Sequence, residues 1–226
     1  MIKLLLLSLF TISAFANTTD VITSQVECSN QLEKYGFGIG LKDISNDCYD
    51  SLKEGISQKL IYTNEDEKIE IVGKLNAILI KNLETKQFNI TAGKTTKLKS
   101  IIALEYNKDH KEIYVLDSDG SEVKTFPSDM QGSISPRRVL RTEQLIGAID
   151  IAVKDNYIYV LNAKDNTIYV YHREASYHRR EQYQKLDLVT SYENLPDQLN
   201  SIEIKDENLI IKYNDSKDAK IILIKN

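Results

Sequence analysis

An all-β fold, an array of about four antiparallel four-stranded units behind a small N-terminal helical segment, is predicted by three observations. The first is the stretch Ala148 to Tyr171, where three apolar runs are cut by two nearly identical polar turns. The runs are Ile149-Asp150-Ile151-Ala152-Val153, Tyr157-Ile158-Tyr159-Val160-Leu161 and Thr167-Ile168-Tyr169-Val170-Tyr171, and the turns are Lys154-Asp155-Asn156 and Lys164-Asp165-Asn166. Asp and Asn tolerate tight hairpin geometry and bond their own backbone, so this reads as a three-stranded meander. The second is that Tyr157, Tyr159 and Leu161 share one face of the middle strand while Ile158 and Val160 share the other, so something must cover both sides. The third is that the same unit recurs along the chain.

From the N-terminus, residues 1–16 read as a secretory signal peptide. Lys3 precedes an apolar run from Leu4 to Phe10, and Ala14 and Ala16 form an A-x-A cleavage pattern before Asn17. The run is far short of the roughly 20 residues of a spanning helix, so no transmembrane segment is expected in the mature chain. No cysteine follows the cleavage point, which argues against a lipid anchor. The style of the signal points to a bacterial periplasm or to secretion. A formal charge of -4 favours solubility and speaks against a nucleic-acid partner.

Residues 17–57 are expected to form a small helical, disulfide-bonded segment. Cys28 and Cys48 are the two cysteines of the chain, and export would place them where pairing is favoured. A bridge across a loop of about 20 residues contributes on the order of 3 kcal/mol. Ser45-Asn46, followed by Asp47, Tyr49, Leu52 and Ile56, reads as a capped amphipathic helix. Val26 to Tyr35 reads as a second short helix ended by Gly36. The glycines at 36, 38 and 40 lack the G-x-G-x-x-G spacing and a preceding strand, so they form a connection and not a phosphate cradle.

Residues 58–226 carry the repeats. One unit begins at Ile101, with runs Ile101 to Tyr106, Ile113 to Leu116 and Val123 to Phe126. The last has Ser201 to Ile204, Leu209 to Tyr213 and Lys220 to Ile224. An earlier, weaker copy has Ile69 to Val72, Asn76 to Ile80 and Gln87 to Ile90. Arg137 to Leu140 and Lys185 to Val189 supply candidate fourth strands after the second and third meanders. The last unit ends without one, and Gln58 to Thr63 is left over as a spare strand. Pairing of that strand with Lys220 to Ile224 would close the array into a ring; an open array that forms a homodimer is the alternative.

Repeated antiparallel units whose inner strands are apolar on both faces are what a β-propeller requires, since each blade lies between two others. The segment Asp150 to Tyr171, preceded by Ser135-Pro136-Arg137-Arg138-Val139-Leu140, resembles bacterial propeller repeats of the NHL-like, six-bladed kind. The resemblance covers Ile101 to Glu174 best and implies a fold more than a function. This chain has room for about four units instead of six.

Catalytic signals are sparse. There is no G-x-S-x-G elbow, H-E-x-x-H, phosphate loop or cysteine nucleophile. His110 sits in a hairpin turn, and His172 and His178 lie six apart on a polar connection. Neither arrangement makes a metal site by itself. Asp117-Ser118-Asp119-Gly120 resembles the opening of a calcium loop without its later ligands, so it reads as a hairpin turn. No cofactor or metal is expected.

Arginine is the compositional anomaly. Arg137, Arg138, Arg141, Arg173, Arg179 and Arg180 all fall between residues 137 and 180, with Tyr177 and Tyr183 interleaved in the second group. Arginine suits bidentate contact with carboxylate or phosphate, and tyrosine offers stacking surface. The competing reading is a solvated rim loop paired with its own Glu174 and Glu181. The function that follows is a non-enzymatic binding or scaffold protein of the cell envelope, contacting a protein or an anionic envelope polymer through its rim loops. The alternative is a small propeller hydrolase or lyase acting on a sugar or lactone at the central channel. Its candidate residues are Glu105, Asp150 and Glu203, all in first-strand positions.

Overall fold

Each polar turn closes a hairpin, and the hairpins build four antiparallel sheets. The computed structural model describes residues 49–50, 53, 56–74, 76–117, 121–173, 188–193, 195, 198–205, 207–213 and 218–223. Sheet 1 holds β1 (Ile61–Asn64), β2 (Ile69–Lys74), β3 (Ala77–Asn82) and β4 (Phe88–Thr91). Sheet 2 holds β5 (Ile101–Asn107), β6 (Glu112–Asp117), β7 (Glu122–Pro127) and β8 (Arg138–Arg141). Sheet 3 holds β9 (Ala148–Lys154), β10 (Tyr157–Asn162), β11 (Thr167–His172) and β12 (Leu188–Tyr192). Sheet 4 holds β13 (Leu199–Lys205), β14 (Asn208–Tyr213) and β15 (Asp218–Leu223). Strands lie in sequence order within every sheet. The expected fourth strands are therefore present in sheets 2 and 3, displaced by one and three residues from their expected starts, and sheet 4 has three strands among the described residues.

The sheets stack face to face, and the two-sided apolar strand shows why. Ile158 and Val160 of β10 pack towards sheet 2 with Tyr114, Leu116 and Ile151. Tyr159 and Leu161 pack towards sheet 4 with Ile202, Leu209 and Ile211. Four of these β10 side chains are essentially excluded from water, each worth about 1.5–3 kcal/mol of burial. Sheets 1 and 2 share a third core that includes Ile71, Ile78, Leu104, Ile113 and Phe126. There the side chains of Ile101 and Leu104 fill the space over Gly73, where a Cβ would lie 2.9 Å from both Ile101 Cγ2 and Leu104 Cδ2.

The free face of sheet 1, with Val72, Leu79 and Ile90, is covered by Tyr49 and Ile56. Tyr49 is fully buried, with its ring 5.0 Å from that of Phe88. Tyr49, Asp50 and Lys53 are helical, and Lys53 reaches Glu70 at 2.6 Å. The signal segment, Cys28, Cys48 and the first expected helix lie outside the described residues.

Two expectations are corrected. The strand left over at Gln58 to Thr63 does not pair with the last strand: β1 pairs with β2 in the register Ile61↔Val72 to Asn64↔Ile69, and β15 pairs with β14. A four-residue turn makes β2 the nearest partner. Asn64 Oδ1 accepts the Glu67 N–H at 3.0 Å and Lys68 adopts φ 52°. The β5–β6 turn repeats this, with Asn107 Oδ1 accepting the His110 N–H at 3.1 Å and Lys111 at φ 51°.

The first unit consequently starts at β1, one hairpin earlier than the periodicity suggested. The connectors agree: a 3-10 turn at Lys94–Thr96 joins β4 to β5 as another at Glu143–Leu145 joins β8 to β9.

Candidate functional site

First strands β5, β9 and β13 run side by side, with a 3-10 turn at Gln58–Leu60 and β1 completing the inner layer beside β5. Glu105 of β5 and Asp150 of β9 come close enough to interact. Burial pushes the Glu105 carboxyl up to about 8, and the Asp150 charge adds to the rise against the backbone N–H of Tyr106. Burial also raises Asp150, to about 6, opposed by the Lys59 charge and by two backbone donors. Those donors are the N–H groups of Ile202 on β13, at 2.9 Å, and of Ile151, at 3.0 Å. Lys59 in turn donates to the Ile149 carbonyl at 3.3 Å. Asp150 is thus a strut between sheets 3 and 4. Glu203 does not join this pair; it is half exposed and bonded to Lys212 at 2.8 Å.

Beside Glu105 a cleft of about 380 Å³ opens between three hairpin ends. It is lined by Glu105 to Asp109 from sheet 2, Ala152 to Asp155 from sheet 3, Ile204 and Glu207 from sheet 4, and Tyr62 from β1. Lys154 pairs with Glu207 across the opening. Tyr62, Lys59 and Lys154 were not singled out in the sequence. Tyr62 and Lys59 lie in the strand whose partner was misassigned, so nothing pointed them at the axis.

The arginines gather on a different carboxylate. Glu112 of β6 is buried, and its Oε2 accepts from the Tyr114 hydroxyl at 2.7 Å, from Arg173 Nη1 at 3.0 Å and from Arg138 Nη2. Arg137 lies 3.7 Å from the other oxygen. Burial alone would raise Glu112, but the Tyr114 hydroxyl and the Arg138 and Arg173 guanidinium groups outweigh it and hold the carboxyl below its ordinary range. Arg141 pairs with Glu122 on the same sheet edge. Arg137 and Arg141 are half exposed, whereas Arg173 is buried. Tyr177, Arg179, Arg180 and Tyr183 lie outside the described residues, as does His178. In the sequence Glu112 is only an acid ahead of the apolar run Ile113 to Leu116; the structure buries every residue of β6, and an acid so placed demands a cation.

The remaining expectations resolve simply. His110 is exposed in the β5–β6 turn, and exposed His172 stacks on Tyr157 at 5.0 Å. Asp117 is fully buried; it accepts the N–H groups of Lys99 and Ser100 at 3.0 Å each and binds Lys124 at 2.5 Å, so the fold uses its oxygens. Among the described residues no cluster of three His, Cys, Asp or Glu side chains is placed to hold a metal, and no helix is long and apolar enough to cross a membrane.

Neither a protein-family model nor a curated protein matches the sequence. Solved structures do. The chain is similar to the β-propeller domain of Cps50 (Swd1) from Myceliophteria thermophila at 13% identity and a TM-score of 0.50, over 73% of this chain and 52% of that one. Hsv2 from Kluyvelomyces marxianus follows at 13% identity and 0.49, over 68% and 51%. BamB from Moraxella catarrhalis stands at 12% and 0.48, over 69% and 41%. The chain spans about half the length of the Swd1 domain. At that identity the likeness speaks for the fold alone, and the four stacked sheets are of the β-propeller kind.

Proposed function

We propose that this chain is an exported, non-enzymatic binding module with NHL-like repeats. Its arginine-bearing outer edge contacts an anionic partner in the cell envelope, either an acidic protein surface or an anionic polymer. The observation that supports this reading is the gathering of arginines around Glu112, with two half-exposed guanidinium groups at the outer edge. Three guanidinium groups, of Arg137, Arg138 and Arg173, gather around that one carboxylate, and at the outer edge Arg137 and Arg141 remain half exposed. Half-exposed guanidinium groups attract anions over roughly the Debye length, about 8 Å at physiological salt. A catalytic reading at the axis finds less support, because Asp150 is engaged by two backbone donors and Glu203 by Lys212. Export rests on the signal-like residues 1–16, and a Cys28–Cys48 bridge would follow from it.

The test is crosslinking in the native cell, affinity capture and mass spectrometry, comparing the wild-type chain with a variant in which Arg137, Arg141, Arg179 and Arg180 are changed to Ala. Arg173 is left in place because it is buried and holds Glu112. One dominant partner, lost in the variant and weakened by salt, is the expected result. Capture that ignores the arginines overturns the reading. N-terminal sequencing of the mature chain, expected to begin at Asn17, tests export separately.

A further inference from the structure

We propose that the axial cleft is a binding site for a small organic cation carrying a primary amine, of the size of an amino sugar or short diamine, with Glu105 as its anchor. The site is separate from the arginine edge and independent of the function proposed there.

Four features of the cleft select that chemistry. Its volume of about 380 Å³ lies within the range of small-molecule sites, roughly 300–1,000 Å³. Its charged lining holds four acids, Glu105, Asp109, Asp155 and Glu207, against Lys108 and Lys154. Lys154 is taken by Glu207, and the described residues provide no ion pair for the other three acids. Glu105, partly exposed on β5, lines the cleft; apart from the N–H of Tyr106, no described group donates to it. Tyr62, whose hydroxyl feels the Glu105 charge, adds an aromatic side chain to the lining, its ring set edge-on to that of Tyr106 at 5.3 Å.

The proton on Glu105 makes the binding recognisable. Lys59, on the 3-10 turn packed against β5, is directed to Asp150 and the Ile149 carbonyl. The groups that act on the Glu105 carboxyl are Asp150 from β9, Tyr62 from β1 and the Tyr106 backbone of its own strand. None supplies a positive charge, and burial keeps the carboxyl protonated up to about pH 8. An entering ammonium supplies that charge, so Glu105 releases its proton to solvent as the ion pair forms. An anion would meet net negative charge. A neutral ligand of the same shape would leave Glu105 protonated and lose the charge-assisted bond.

The probe pair is glucosamine and N-acetylglucosamine, alike in ring and different in charge, titrated calorimetrically into the mature full-length chain near neutral pH. Repeating the titration in buffers of different ionisation heat counts the protons released. The expected result is about tenfold tighter binding of glucosamine, a difference of about 1.4 kcal/mol, with net proton release. Glu105→Gln should abolish both the preference and the release. Asp155→Asn, at a turn position of φ 50° that Asn accepts readily, should weaken glucosamine two- to threefold while leaving the fold intact if Glu105→Gln disturbs it. Equal affinity for the two sugars, no binding of glucosamine up to about 50 mM, or a preference that survives in folded Glu105→Gln protein would overturn the assignment. Changing Arg137 and Arg141 to Ala should leave glucosamine binding unchanged, and Glu105→Gln should leave capture at the arginine edge unchanged, so the two proposals fail separately.

Discussion

Glu105 and Glu112 stand one hairpin apart on the same face of sheet 2, and their chemistry is opposite. The pairing register Glu105↔Tyr114, Tyr114↔Thr125 and Thr125↔Arg138 draws one row across the sheet from the axis to the outer edge. Glu112, in the next row, bonds the Tyr114 hydroxyl and is met by arginines from the outer edge and from the end of β11. Its carboxyl is held low. Glu105, at the inner end, has Asp150 for its charged neighbour and is pushed up to about 8. What sets the two residues apart is the sign of the charge that reaches them. Outer strands bring arginines within reach, whereas the inner layer at Glu105 brings another acid.

The largest effect is expected from breaking the Glu112 side. Glu112→Ala takes away the buried carboxylate that Arg173, and to a lesser degree Arg138, binds. Removing one partner of a buried pair costs about 3–5 kcal/mol, so urea unfolding should show a loss of that order or no folded protein. A matching pH dependence should appear in the wild-type chain. A depressed carboxyl contributes its full stability above the ordinary value of 4.5 and loses it as pH falls through the folded value, so acid should unfold the chain partly through Glu112.

Glu105 should behave in the reverse sense. Between its ordinary value of 4.5 and about 8, the folded chain keeps a proton that the unfolded chain has released. Stability therefore declines as pH rises through that window, and the full loss is in place above it. Glu105→Gln removes the Glu105 share of the decline and leaves that of Asp150 below about pH 6, and thermal melts should show its Tm several degrees above wild type at about pH 9 and close to wild type at about pH 4.5. A parallel pH dependence in the two proteins would contradict the contrast.

Two smaller changes sharpen it. Tyr114→Phe removes one donor from Glu112 and keeps the ring, so a loss of about 1 kcal/mol in urea unfolding is expected, together with an upward move of the acid transition. Arg137→Ala removes the half-exposed member of the cluster and should change stability by no more than about 0.5 kcal/mol. A loss comparable to that of Glu112→Ala would show that the arginines are not graded from buried to exposed.

Much of the frame was legible in the chain. Alternation on both faces of Tyr157 to Leu161 foretold a strand between two sheets, and Ile158 and Tyr159 do face different cores. Arg137 to Leu140 was readable as an outer strand because a short apolar pair sits between polar connections. The start of the first unit was misread for an equally local reason. Lys74-Leu75-Asn76 looks like Lys154-Asp155-Asn156, and a tight turn does not reveal which hairpin of a unit it closes. The cluster of arginines is visible in the sequence, but their shared acid is not, because the burial of β6 along its whole length arises only when the sheets pack.

What the sequence determined by itself is what neighbours along the chain decide: hairpin turns, strand faces, and the demand that sheets stack. Those follow from a side-chain period of two and from backbone bonding over a few residues. Only the tertiary structure decided which acids meet cations. Glu112 and Arg173 are 61 residues apart and 3.0 Å from each other, while Glu105 meets Asp150 across two sheets. Electrostatic energy depends on distance through space and on exclusion of water. The order of residues fixes neither until the sheets have packed.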